Sequence, residues 1–174
     1  MGPVMRRIGN ISAVGALLLS ASFIQTQTAA QTPSQSPAPL LIYDDVMQPG
    51  WDNWSWAKVE LSVPTGGAKP IKVQGDPWSA LALHHEPFST KGYTSLVFYV
   101  NGGVDGGQAI SVKLMVGGKP LDASYLVTPK TKAWAIAKIP LQDIDGVDKM
   151  IEGIYFQAQD KAYKPYYVTK IQFE

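Results

Sequence analysis

Residues 95–103 read Ser95-Leu96-Val97-Phe98-Tyr99-Val100-Asn101-Gly102-Gly103, and residues 110–118 read Ile110-Ser111-Val112-Lys113-Leu114-Met115-Val116-Gly117-Gly118. Leu96, Phe98 and Val100 alternate with Val97 and Tyr99. Ile110, Val112, Leu114 and Val116 alternate with Ser111, Lys113 and Met115. A period of two marks a strand with one buried face, and the closing glycine pairs mark turns. Ile154, Phe156 and Ala158 repeat the pattern against Tyr155, Gln157 and Gln159. Beyond residue 40 no stretch holds a helical period for long. Strands are predicted over 42–46, 55–63, 71–74, 80–84, 95–101, 108–116, 123–127, 133–140, 152–158 and 166–173. Residues 141–150 are polar and loop-like, with room for one helical turn. Many short strands between Gly and Pro turns predict an all-β fold, an antiparallel β-sandwich or barrel.

The alternation sorts side chains by face. If the aliphatic sets point inward, Tyr99, Ser111, Lys113, Tyr155, Gln157 and Gln159 point outward. Gln157 and Gln159 lie on one face of one strand, and each amide has a donor and an acceptor end able to bridge two hydroxyls. The alternative is an ordinary solvated strand face.

Outside the strands the chain changes character. Arg6 and Arg7, the apolar uncharged run 11–24 and the small residues Thr28-Ala29-Ala30 form the three-part layout of an export signal over residues 1–30. The run is shorter than the roughly 18 residues of a membrane span, although an uncleaved anchor is the alternative. Residues 31–39, Gln-Thr-Pro-Ser-Gln-Ser-Pro-Ala-Pro, read as a linker or tail. Residues 40–174 then form one domain, long enough to bury a core without staples. The absence of cysteine excludes disulfides, thiolate chemistry and a lipoprotein anchor, and with export it points to a bacterial periplasm or medium. The net charge is +1, and loss of Arg6 and Arg7 with the signal brings it to −1. A near-neutral surface gives no reason to expect nucleic acid or an anionic membrane as partner, and no membrane span is expected after signal cleavage.

Several constellations bear on chemistry. His84-His85-Glu86 places adjacent histidines on opposite faces of a strand, which disfavours a shared metal ion. Asp143, Asp145 and Asp148 have a calcium-like spacing, but the pattern lacks a closing Glu and reads as a solvated loop. No Gly-x-Ser-x-Gly, phosphate loop or His-Glu-x-x-His helix is present, and no pair of acids is framed for glycoside hydrolysis. Gly102-Gly103 and Gly106-Gly107 read as a loop between strands. Trp51, Trp54 and Trp56 crowd one segment beside Asp52, Asn53 and Ser55, and Trp78 follows the turn Gly75-Asp76-Pro77. Large rings are kept for a core or for contact, and flat rings beside small polar groups suit sugar rings. Trp134 shares a face with Ile136 and Lys138.

Tyr43-Asp44-Asp45 followed by Gly50-Trp51-x-x-Trp54-Ser55-Trp56 resembles the opening of the carbohydrate-binding modules appended to bacterial glycoside hydrolases. Residues 80–85 resemble their next core strand, residues 96–103 with Gly107-Gln108 a central strand pair, and Trp134, Ile139-Pro140-Leu141, Tyr166-Tyr167-Val168 and Ile171 the closing part. The resemblance implies a jelly roll of the galactose-binding-like kind. It also implies non-catalytic binding of a β-glucan-type polysaccharide or oligosaccharide on a concave sheet or edge cleft. Such modules often carry a structural calcium held by acids of the first and last strands. Asp44 and Asp45 match the first, whereas Thr169-Lys170 stand where the last often has an acid. No other cofactor is implied. The expected contacts are Trp51, Trp54 and Trp78 for stacking, Tyr99, Lys113, Gln157 and Gln159 for hydrogen bonds, and His84 beside them. A secreted or periplasmic monomer is expected. The other readings are a cell-envelope interaction or scaffold module without sugar binding, and a small glycan-active enzyme.

Overall fold

The structure, a computed structural model, describes residues 37–174; the expected export signal, residues 1–30, and residues 31–36 of the expected linker lie outside the described residues. Thirteen strands follow in chain order: β1 (Leu40–Asp44), β2 (Val46–Met47), β3 (Trp51–Asn53), β4 (Lys58–Glu60), β5 (Ile71–Gly75), β6 (Ala80–Ser89), β7 (Ser95–Asn101), β8 (Ile110–Val116), β9 (Lys119–Pro120), β10 (Tyr125–Val127), β11 (Trp134–Pro140), β12 (Met150–Ala158) and β13 (Tyr163–Phe173). One 3₁₀ turn, Leu141–Ile144, sits in the expected loop.

The strands form two antiparallel sheets. In the first the order is β11-β7-β13-β1-β2, and β5, with β4 beyond it, pairs with the first half of β13. In the second the order is β10-β8-β12-β6-β3, with β9 turning back on β8. From β5 onward the chain repeatedly crosses from one sheet to the other, the wiring of a jelly-roll sandwich.

The inward phases match the alternation. Leu96, Phe98 and Val100 of the first sheet face Ile110, Val112, Leu114, Ile154 and Phe156 of the second in one continuous core. Phe98 and Phe156 meet edge to face across the sandwich, with centroids 5.0 Å apart. Tyr43 is fully buried, but its hydroxyl donates to the Lys69 carbonyl at 2.7 Å and accepts from the Ser62 amide at 2.9 Å, so its polar end is satisfied.

Two predicted strands are interrupted. The segment 42–46 turns back at Asp45, at φ 59°, so that β1 and β2 pair antiparallel. The segment 55–63 is not continuous: β3 ends at Asn53, and β4 begins at Lys58 in the other sheet. Asn53 Oδ1 accepts from the Ser55 amide at 3.1 Å, a side-chain turn that competes with the ladder. The Trp56 and Ala57 amides then both reach the Ala80 carbonyl, so the chain lies bent along the edge of β6. This bend sets the two tryptophans described next.

Candidate functional site

The outer face of the second sheet is a grid. Leu126, Ser111, Gln157 and Ala80 form one row; Lys113, Tyr155 and Ala82 the next; Met115, Gly153 and His84 the third. Ala80, Ala82, Met115 and Tyr155 are buried there as a second, small cluster outside the main core. Burial pushes the Tyr155 hydroxyl up from its ordinary range, aided by nearby Glu152, so it is a neutral donor, and it reaches the Gly118 carbonyl at 3.3 Å.

Three tryptophans border this cluster while staying open to solvent. Trp54, Trp56 and Trp78 are 52%, 52% and 57% exposed. Trp54 lies flat on the His84 imidazole, with centroids 3.4 Å apart and planes 6° from parallel. One ring face is therefore backed and the other free. Trp56 rests its edge on Tyr155 at 5.5 Å, and its Nε1 donates to the Trp78 carbonyl at 3.0 Å. Trp78 has φ 63°, the left-handed region that a bulky residue adopts at a cost. It is held there because its amide donates to the Gln159 carbonyl at 2.9 Å, and its own carbonyl also accepts Gln157 Nε2 at 3.1 Å. A strained, exposed aromatic pinned by three hydrogen bonds is a feature found at functional sites.

The expected site residues divide. Trp54, Trp78, His84, Lys113, Gln157 and Gln159 come together on this face or at its rim. Gln157 and Gln159 do so as braces, since Gln159 Nε2 donates to Ser111 Oγ and Gln157 Nε2 to Trp78, which leaves each Oε1 as an acceptor. Trp51 is elsewhere. It is 6% exposed and packs in the core on His85 and Phe88, at 5.1 and 5.6 Å. Three positions separate it from Trp54, so an extended chain turns the two rings to opposite faces. Tyr99 is outward as expected but on the first sheet, between Ile136 and Thr169 and one row from the exposed Trp134, away from Trp54, Trp56 and Trp78. Trp56 was not among the expected contacts. The signal for it was its shared phase with Trp54.

The calcium expectation does not fit the residues. Asp44 is answered by the Lys170 ammonium, at 3.2 and 3.3 Å to its two oxygens, and Asp45 Oδ1 accepts the Lys69 amide at 2.7 Å. A cation already stands beside the first carboxylate, and a backbone donor occupies the second. Among the described residues no group of three or more His, Asp or Glu is placed to hold a metal. Asp145 is paired with Lys149. His84 and His85 take opposite faces, as the strand requires.

Fold and site together define a jelly-roll β-sandwich that carries a platform of exposed tryptophans on one sheet. No family model matches the chain, and no curated protein does. Solved structures do. A variant of a family 29 carbohydrate-binding module superposes with a TM-score of 0.61 at 13% identity, covering 79% of this chain and 92% of that one. A second variant, solved in complex with cellulohexaose, gives 0.60 at 13% identity, covering 78% and 89%. A third, in complex with mannohexaose, gives 0.59 at 12% identity, covering 78% and 90%. The chain thus has the sandwich fold of these carbohydrate-binding modules. Among the described residues no helix is long and apolar enough to cross a membrane.

Proposed function

We propose that the protein is a non-catalytic carbohydrate-binding module that holds an extended β-linked glucan or mannan chain across Trp54, Trp56 and Trp78. The observation that carries this is the platform itself: three half-exposed rings bordering one face, Trp54 backed by His84, Trp56 by Tyr155, and Trp78 fixed through its backbone. Exposed aromatic area of this extent is rare unless it makes contact. The flat apolar faces of equatorially substituted sugars suit the open faces of Trp54 and Trp78. Lys113, with Gln157 Oε1 and Gln159 Oε1, supplies donors and acceptors for hydroxyls beside the rings. The ligands of the structural neighbours solved as complexes, cellulohexaose and mannohexaose, belong to this class. Export to a periplasm or medium, where such polymers are met, accords with the signal-like residues 1–30.

The test is calorimetry and affinity electrophoresis of the purified protein with cellulohexaose, mannohexaose and their polymers. Binding of one of them is expected, without release of reducing ends. Trp54→Ala is expected to weaken it by about 30-fold, the ~2 kcal/mol of a central aromatic contact. Binding that survives Trp54→Ala and Trp78→Ala unchanged would remove the platform from the function. No binding to any glucan or mannan would shift the reading to an envelope-protein contact on the same face.

A further inference from the structure

Tyr99 is left unused by the tryptophan platform, and its surroundings have the features of a site. It lies on the outer face of the first sheet, in register with Ile136 of β11 and Thr169 of β13. A groove of about 370 Å³ opens there over Val97, Tyr99 and Ile136. Its walls are two ion pairs, Lys170 Nζ to Asp44 at 3.2 Å and Lys138 Nζ to Glu174 at 3.3 Å, and Gln172 Nε2 donates to Glu174 at 2.7 Å. β13 bulges at this point. Its register slips between Thr169 and Gln172, and Lys170 sits at φ 50°, where a glycine would be at ease. A lysine kept in that conformation has its ammonium at the groove wall beside Asp44. Bulges that re-aim a side chain are common beside binding sites. Thr169 Oγ1, in the same row as Tyr99, is buried with no hydrogen-bond partner, an anomaly that calls for a cause.

The chemistry selects the ligand. The wall charges cancel in pairs, so an ionic ligand gains nothing. Carboxylates and ammoniums side by side offer acceptors and donors at the spacing of neighbouring hydroxyls. An aromatic and aliphatic floor completes a site for a neutral sugar. The volume is in the range of small-molecule sites. We infer that a second saccharide-binding groove lies over Tyr99, on the face of the sandwich opposite Trp54, Trp56 and Trp78, so that one molecule bridges two glycan chains. This rests on the sugar-binding reading for the ligand class, but on separate residues.

The experiment is an amide-resolved NMR titration of the purified protein with cellulohexaose and, separately, mannohexaose. Two groups of shifts are expected, one around Trp54, Trp56 and Trp78 and one around Tyr99, Ile136 and Lys170. In the Trp54→Ala/Trp78→Ala protein the first group should vanish, while the second saturates within twofold of the same sugar concentration. Tyr99→Ala should weaken the second group at least fivefold and leave the first intact. Lys170→Asn, which suits the left-handed backbone, should do the same if Tyr99→Ala fails to fold. Silence at Tyr99, Ile136 and Lys170 with both sugars, or loss of that group in the platform variant, overturns the second groove; the platform reading survives if its own shifts remain. Shifts at the groove alone would overturn the platform and leave the groove standing.

Discussion

At the scale of single residues, His84 and Trp78 show how the platform is held. His84 Nδ1 is buried and makes no hydrogen bond, so the ring's role is its flat face under Trp54. The sequence set His84 beside the expected contacts; its use as a backing plate needed the Asn53 turn that lays Trp54 over it. His84→Ala is expected to weaken sugar binding about 3- to 10-fold, the ~0.5–1.5 kcal/mol of an aromatic pair, and His84→Phe to restore most of it in calorimetry. Rescue by Phe separates the stack from any direct imidazole contact. Trp78→Gly should split stability from binding. Glycine relieves the left-handed backbone, so the urea midpoint should hold or rise by up to ~1 kcal/mol in stability, while affinity drops about 30-fold. A parallel loss of both would mean that the Trp78 ring is structural.

At the scale of elements, strands β7, β8 and β12 were legible because every second side chain is a core aliphatic or phenyl group, an alternation that the residue pattern records directly. The sheet that each strand joins was not. Tyr99 and Gln157 are both outward by phase, yet they face opposite directions, because β7 and β12 belong to different sheets. Pairing between distant strands is written in no local pattern, so a single outward set had to be read where two exist. Trp51 was misplaced for a local reason: parity already set it opposite Trp54. The β6–β12 pair adds a constraint that the sequence hides. Gly153 sits at a slip in register beside His84, and a Cβ on it would stand 2.1 Å from the Leu83 carbonyl. Gly153→Ala is therefore expected to cost ~2–4 kcal/mol, read as a lower urea midpoint, and to disturb the Trp54–His84 stack with it. An unchanged midpoint would show that the two strands separate there at no cost.

At the scale of the whole molecule, buried phenols tie the sandwich to pH. Burial raises Tyr163 to about 12 and carries Tyr166 well above its ordinary range. The unfolded chain loses these protons near pH 10 while the folded one keeps them, so folding is fully supported below pH 10 and loses ground as pH rises toward 12. Melting temperatures should be level through neutral and mildly alkaline pH and fall between pH 10 and 12, with a shallower fall in Tyr163→Phe. The same elements set the order of assembly. β13 is made after every strand it pairs with: it hydrogen-bonds to β7 on one side and to β5 and β1 on the other, so the first sheet has no centre until it arrives. A chain emerging from the ribosome thus holds its early strands without their common partner, and the sandwich closes only once β13 itself has emerged.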